Sequence, residues 1–297
     1  MKLTDRFRKG QFVITSEVAP MKGCISSDVV PSFLEEARKV ASWVHAVNVT
    51  DNQSAHMRLG SLAASVYLQR NGIEPIYQIT CRDRNRIALQ SDLLGAGSLG
   101  IENVLCLTGD HIKLGDHREA KPVFDIDSVQ LLTIARGLNQ GYDLAGNPLS
   151  APADLCLGAV VNPNFDPLDL QLIKMEKKIK AGAEFFQTQA VYDMAVFESF
   201  IEKTRDFGVP VQYGIVLIKS PEMANYMNRH VSGIKIPDSL IREIGSVPPE
   251  RRKEKTVEMT VQLIGRIAPM VQGIHFMPIG WSDIIPDILA GIELGGC

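Results

Sequence analysis

The stretch "NVLCLTGDHI", residues 103–112, decides how this chain is read. Val104, Leu105, Cys106 and Leu107 form a short apolar run that stops on Thr108, Gly109 and Asp110. Taken alone it is a buried strand ending in a turn, because Asp and Gly are ordinary turn residues. Whether the acid at its tip means more depends on whether the same design recurs.

It recurs along the whole chain. Strand-like segments stand at "FVITSEV" (12–18), "VHAVNVT" (44–50), "PIYQITC" (75–81), "NVLCLTG" (103–109), "LCLGAVV" (155–161), "EFFQTQA" (184–190), "VQYGIVL" (211–217) and "VQGIHFM" (271–277). They are rich in Val, Ile and Phe, and several are apolar on both faces, as buried parallel strands are. Helical patterns lie between them. Residues 29–43 place Val30, Phe33, Leu34, Ala37 and Ala41 on one face. Residues 167–183 start at a proline and end near Gly182. Residues 251–268 put charge first and an apolar stripe later, and 282–294 form a last helix. Eight strands alternating with helices predict an α/β fold, a (β/α)8 TIM barrel, as one domain over residues 1–297. The alternative, a doubly wound open sheet, lacks its glycine-rich fingerprint: "TSEVAPMKG" follows the first strand instead. The polar stretch 113–125 reads as a long loop after the fourth strand, an active-site lid or an ordinary surface loop.

The bulk properties exclude several classes. The chain has 297 residues, 45% of them hydrophobic, and a net charge of −3, so it has no basic field for nucleic acid. No apolar run approaches the roughly 18 residues of a membrane span. "MKLTDRFRKGQF" has no signal-peptide core. Cys24, Cys81, Cys106, Cys156 and Cys297 are scattered without Cys-x-x-Cys spacing, which fits a reducing cytoplasm and suggests no zinc site or disulfide framework. The six histidines lack the spacing of a helical metal pair, so no metal is assigned.

In such a barrel the reactive groups sit at the C-terminal strand ends. Those ends carry Glu17, Thr50 and Asp51, Gln78 and Thr80, Thr108, Gly109 and Asp110, Asn162, Gln189, the "LIKSP" loop (217–221), then His275 and Met277. Asp110 is therefore one of a ring of polar groups, though a ring alone names no chemistry. Glu17 stands between "FVIT" and "VAP" with no nearby Lys or Arg. A carboxyl in an apolar wall has its charged form disfavoured, which suits a general acid; the plainer reading is a solvated or distantly paired group. "KMEKK" (174–178) is either a solvated helix face or a cradle for a cofactor phosphate near Lys178.

These residues resemble the catalytic barrel of the methylenetetrahydrofolate reductase family. The matching pieces are "TSEVAP", "NVTDNQS", "QITCRDRN", "GIENVLCLTGD", "KKIKAGAEFFQTQAVYD" and "GIHFM", in order along nearly the whole chain. The resemblance implies a flavin-dependent oxidoreductase of one-carbon metabolism that reduces methylenetetrahydrofolate to methyltetrahydrofolate. Glu17 would be the general acid and Asp110 the electrostatic stabiliser beside flavin and folate. Thr50, Gln78, Thr108, Gly109, Asp110, Asn162 and Lys178 would bind the cofactor, Lys178 near the diphosphate of FAD. Asp110 and Gln189 would contact the substrate. The chain departs from the family pattern at Thr108, Gln78, Asn162, the "LIKSPEM" loop and "HFMPIGWSD". These departures leave FMN as an alternative to FAD. They also point to the branch that receives electrons through a small partner subunit, in a homo- or hetero-oligomer. Two other readings are a pterin-binding barrel that transfers a group without redox chemistry and a flavin-bearing scaffold subunit of an electron-transfer complex.

Overall fold

A computed structural model describes residues 1–231 and 233–292, and every expected strand forms within them. The strands are β1 (Val13–Val18), β2 (Ala46–Val49), β3 (Pro75–Thr80), β4 (Asn103–Leu107), β5 (Cys156–Val161), β6 (Phe185–Ala190), β7 (Val211–Val216) and β8 (Gly273–Met277). Each pairs in parallel with the next, and β8 pairs with β1, so the sheet closes into a barrel in chain order. The helices are α1 (Leu3–Arg8), α2 (Ser32–Val40), α3 (Ser61–Arg70), α4 (Arg86–Ser98), α5 (Ser128–Asn139), α6 (Leu168–Ala181), α7 (Met194–Thr204), α8 (Pro221–His230), α9 (Asp238–Gly245), α10 (Arg252–Ile267) and α11 (Ile285–Ala290). None is long and apolar enough to cross a membrane.

Strand side chains alternate in and out, and this alternation builds the core twice. Outward residues such as Ile14, Val47, Tyr77, Val104 and Ala159 pack under helix residues including Phe33, Leu34, Leu68 and Leu89. Burying a side chain such as Phe33 or Leu34 contributes about 2 kcal/mol. Inward residues form tiers. The lowest is apolar: Val13, Ala46, Ile76, Leu105, Cys156 and Phe185, closed from below by Leu3 and Phe7 of α1. The middle tier is polar: Thr15, Asn48, Gln187, Gln212 and His275. The top tier opens into a cavity.

Most element boundaries differ from the sequence expectation by one to three residues, and four of them are instructive. The fourth strand stops at Leu107, because Gly109 has φ of 92°, which no strand tolerates. The helix expected over 29–43 starts only at Ser32, since the residue before Pro31 is sterically kept out of the helical region; Val30 is left 46% exposed. Pro167 caps α6 rather than opening it. The last helix, expected over 282–294, opens with a 3-10 turn at Ser282–Ile284 and ends at Ala290, where Gly291 caps it; residues 293–294, like Cys297, lie outside the described residues.

Glycine closes the barrel seam. A Cβ at Gly273 would lie 2.0 Å from the Val13 carbonyl oxygen, a backbone atom that cannot swing away. Gly273→Ala is expected to destabilise the fold by about 3 kcal/mol, the upper end of overpacking penalties. Urea unfolding of the two proteins checks this; equal midpoints would show that the seam relaxes freely.

Candidate active site

The tips of the strands surround a cavity of about 560 Å³, within the range of small-molecule sites. Glu17, Thr50, Gln78, Thr108, Gly109, Asp110, Asn162, Lys178 and Gln189 all line it. The structure thus brings together eight strand-end residues and Lys178 of α6, while the "LIKSP" loop (217–221) does not line the cavity. A second cavity, about 230 Å³, lies between β7 and helices α9 and α10 and includes Ile215, Leu240 and Met259. It belongs to helix packing, with the Thr256 hydroxyl already donating to the Ile218 carbonyl.

Glu17 is not set in a purely apolar wall. Its Oε2 lies 3.7 Å from Nε2 of buried His275, and Gln53 Nε2 lies 3.5 Å from its Oε1. No Lys or Arg forms an ion pair with it among the described residues.

Asp110 is exposed, and its position is set through its backbone. Arg82, only 2% exposed, donates to both Asp83 oxygens at 2.8 and 2.7 Å. The same guanidinium reaches the Asp110 carbonyl at 3.4 Å and the Asn52 carbonyl at 3.2 Å. One buried cation therefore ties the loops after β2, β3 and β4 together. Gly109 is required at this turn: besides its positive φ, a Cβ there would meet Thr80 Cβ at 3.0 Å.

Some members of the polar ring are engaged in holding the rim. Asp51 accepts from Thr80 N at 2.9 Å, from Thr80 Oγ1 at 2.8 Å and from Arg84 Nη2 at 2.9 Å. Thr108 Oγ1 donates to Ser128 Oγ at 3.1 Å and accepts from Ser128 N at 3.3 Å, which fixes the start of α5 beside the strand end. Asn162 Oδ1 accepts from Asn164 N at 3.1 Å. Gln189 Oε1 accepts from Ala190 N at 3.1 Å. The loop over 113–125 is pinned by Lys22–Asp116 at 2.8 Å and Arg86–Asp125 at 2.7 Å, and none of its residues lines the cavity.

Other groups remain available. Among the described residues the buried Thr50 hydroxyl has no hydrogen-bond partner, a cost of about 1–3 kcal/mol unless something else satisfies it. On the far wall α6 presents Lys174, Lys177 and Lys178 to the cavity. Lys178 Nζ donates to the Val160 carbonyl at 2.7 Å. Burial, helped by neighbouring Lys174, pulls its ammonium down to about 8. An orphaned hydroxyl and a basic wall across one cavity fit a ligand with a polar ring system and an anionic tail, as a flavin nucleotide has.

Sequence reasoning missed Gln53, Arg82, Asp127, Ser128 and Gln187. Gln187 had a signal, since it stands two residues before Gln189 on the same strand face. Asp127 also had one: Asp127 and Gln130 form a reciprocal capping box at the start of α5, and Asp127 lines the cavity.

Comparison with known proteins identifies relatives of this chain. A methylenetetrahydrofolate reductase from Schizosaccharomyces pombe is 24% identical over 230 residues, covering 75% of this chain and 36% of its own length. A probable methylenetetrahydrofolate reductase (NADPH) from Caenorhabditis elegans is 24% identical over 284 residues, covering 89% and 40%. The chain thus spans about two fifths of the length of these relatives. Among solved structures, a Clostridium thermocellum protein described as binding two copies of 5-methyl-5,6,7,8-tetrahydrofolic acid shares the fold, with a TM-score of 0.62 at 15% identity and 97% of each chain covered. The family model for methylenetetrahydrofolate reductase matches residues 2–293, and the chain belongs to that family.

Proposed function

We propose that the cavity reduces methylenetetrahydrofolate to methyltetrahydrofolate with a bound flavin. The observation that carries this reading is the convergence, in a member of this family, of eight expected strand-end residues and Lys178 of α6 on one cavity. The folate bound by the structurally similar Clostridium thermocellum protein supports the same substrate class. A flavin held there supplies the hydride. The Thr50 hydroxyl, lacking a partner, would hold its ring, and Lys174, Lys177 and Lys178 would hold the phosphates, FAD offering them one more than FMN.

The chain's own residues meet the remaining needs of the reaction. Opening the five-membered ring of the folate requires a proton on the departing nitrogen, and Glu17 would give it. The resulting cation needs a fixed negative charge, which the Asp110 carboxylate provides once bound molecules cover it from water. Gln189, on β6, would orient the pterin.

Lys178 ties cofactor binding to pH. Its ammonium is fully charged well below pH 8 and neutral above, so affinity for FAD is expected to fall as pH rises through about 8. Lys178→Met should flatten that dependence. Unfolded, the lysine returns to its ordinary value near 10.5, so between about 8 and 10.5 the unfolded chain holds more protons and this group makes stability rise with pH. Fluorescence titration of the cofactor-free chain with FAD from pH 7 to 9 checks the binding claim; a flat profile in the unmodified chain would contradict it.

The electron donor is proposed to be a partner protein. Trp281 lies under two ammonium groups, Lys219 at 5.2 Å and Lys253 at 5.7 Å, and Tyr226 stacks on His230 at 4.4 Å. Neither ring lines the cavity, so neither offers a nicotinamide a free face beside the flavin. The deciding experiment identifies the released flavin and follows anaerobic stopped-flow reduction of the bound form. NADH and NADPH are expected to reduce it slowly and a small artificial donor rapidly. Rapid, saturable reduction by either nucleotide would refute the partner, and purified protein without flavin, inactive when FAD or FMN is added, would refute the redox reading.

A further inference from the structure

The middle tier of the barrel is a hydrogen-bonded chain that ends on the imidazole beside Glu17. Gln212 Nε2 faces the carbonyl oxygens of Val13 at 3.1 Å and Ile274 at 3.3 Å, which orients its amide. Its Oε1 must then accept, and it does so from Gln187 Nε2 at 3.1 Å. Gln187 Oε1 in turn accepts from Asn48 Nδ2 at 2.9 Å. Each amide nitrogen has two protons for three acceptors: Gln212 Nε2 lies 3.2 Å from Thr15 Oγ1, nearer than the Ile274 carbonyl, and Gln187 Nε2 shares its second proton between Thr15 Oγ1 and Asn48 Oδ1, both at 3.3 Å. The Thr15 hydroxyl then has its own proton to place. Two acceptors are in reach: His275 Nδ1 at 3.0 Å and the Ile274 carbonyl at 3.5 Å. The shorter contact is the better hydrogen bond. An imidazolium at His275 would itself donate from Nδ1 and leave the Thr15 proton only the 3.5 Å contact to the Ile274 carbonyl.

We propose that this chain holds His275 as the neutral tautomer with its proton on Nε2, the nitrogen 3.7 Å from Glu17 Oε2, and that His275 is thereby a positioning residue for Glu17. The proposal rests on the reading of Glu17 as proton donor. A neutral ring offers its N–H to Oε2 without pinning Glu17 as a carboxylate, as an imidazolium would. The acid's proton is left to Oε1, the oxygen on the Gln53 side. Around His275, Thr15 and Glu17 come from β1, and β7 contributes Gly214 as its register partner, so Glu17 is the ionisable side chain paired with the ring.

The test is nitrogen NMR of the purified protein labelled with ¹⁵N-histidine, with His275 assigned by its loss in His275→Gln. At pH 8, His275 is expected to show a protonated Nε2 and a bare Nδ1. Thr15→Val should mix the tautomers and lower kcat about tenfold with KM unchanged, the scale of one neutral hydrogen bond at the acid. Thr15→Ser, which keeps the hydroxyl, should restore both readouts. An imidazolium or an Nδ1-protonated ring in the unmodified protein overturns the proposal, as does full kcat in Thr15→Val. Full folate turnover by Glu17→Gln would instead overturn the proton-donor reading, and this role with it. An inert Glu17→Gln together with an Nδ1-protonated His275 would overturn the positioning alone.

Discussion

Glu17→Gln is expected to lower folate turnover by at least about 10²-fold, the scale on which a positioned general acid acts. The side chain keeps its size, so Gln53 and His275 retain a polar partner at 3.5 and 3.7 Å. What is lost is the proton for ring opening. The bound flavin should still be reduced by an artificial donor at the unmodified rate, because that half of the cycle does not need the acid. Methyltetrahydrofolate formation measured anaerobically, beside flavin bleaching in the same sample, separates the two. Near-normal product formation would remove Glu17 from the reaction.

Asp110→Asn should cost about as much, near 10²-fold in kcat/KM, since removing one fixed electrostatic partner of a transition state has that order of effect. The neighbouring geometry should hold. Arg82 grips the backbone carbonyl of residue 110 and not its side chain, so the turn survives the substitution. A second readout follows from the same charge: without a carboxylate beside it, the flavin gains electrons more easily, so its midpoint potential should rise. A lower or unchanged potential, together with normal turnover, would place Asp110 outside the site's electrostatics.

Much of this was legible in the sequence because it depends on local patterns. Eight short apolar segments separated by helical periods have few ways to bury both faces of their strands, and closing in order is the simplest. The strand ends could be read too, since period-two alternation and the barrel rule put Glu17, Thr50, Gln78 and Gln189 on the inner, C-terminal rim before any coordinates. The proline at 31 and the glycine at 109 carried their own corrections: steric exclusion ahead of a proline and a positive φ both act within two residues.

What only the tertiary structure decided was which polar groups are engaged and which are free. Asp51 and Glu17 look alike in sequence, acids at strand ends. Asp51 is consumed by Thr80 and Arg84 from the next strand and its loop, while Glu17 faces His275 across the seam where β1 meets β8. Arg82 reads as a loop cation, yet it is buried and holds three loops in place. The middle-tier chain from Gln212 to Thr15 joins residues 197 positions apart in sequence. Local propensity and spacing cannot reveal such pairings, because hydrogen bonds and ion pairs act over a few ångströms and only barrel closure brings those side chains within that distance.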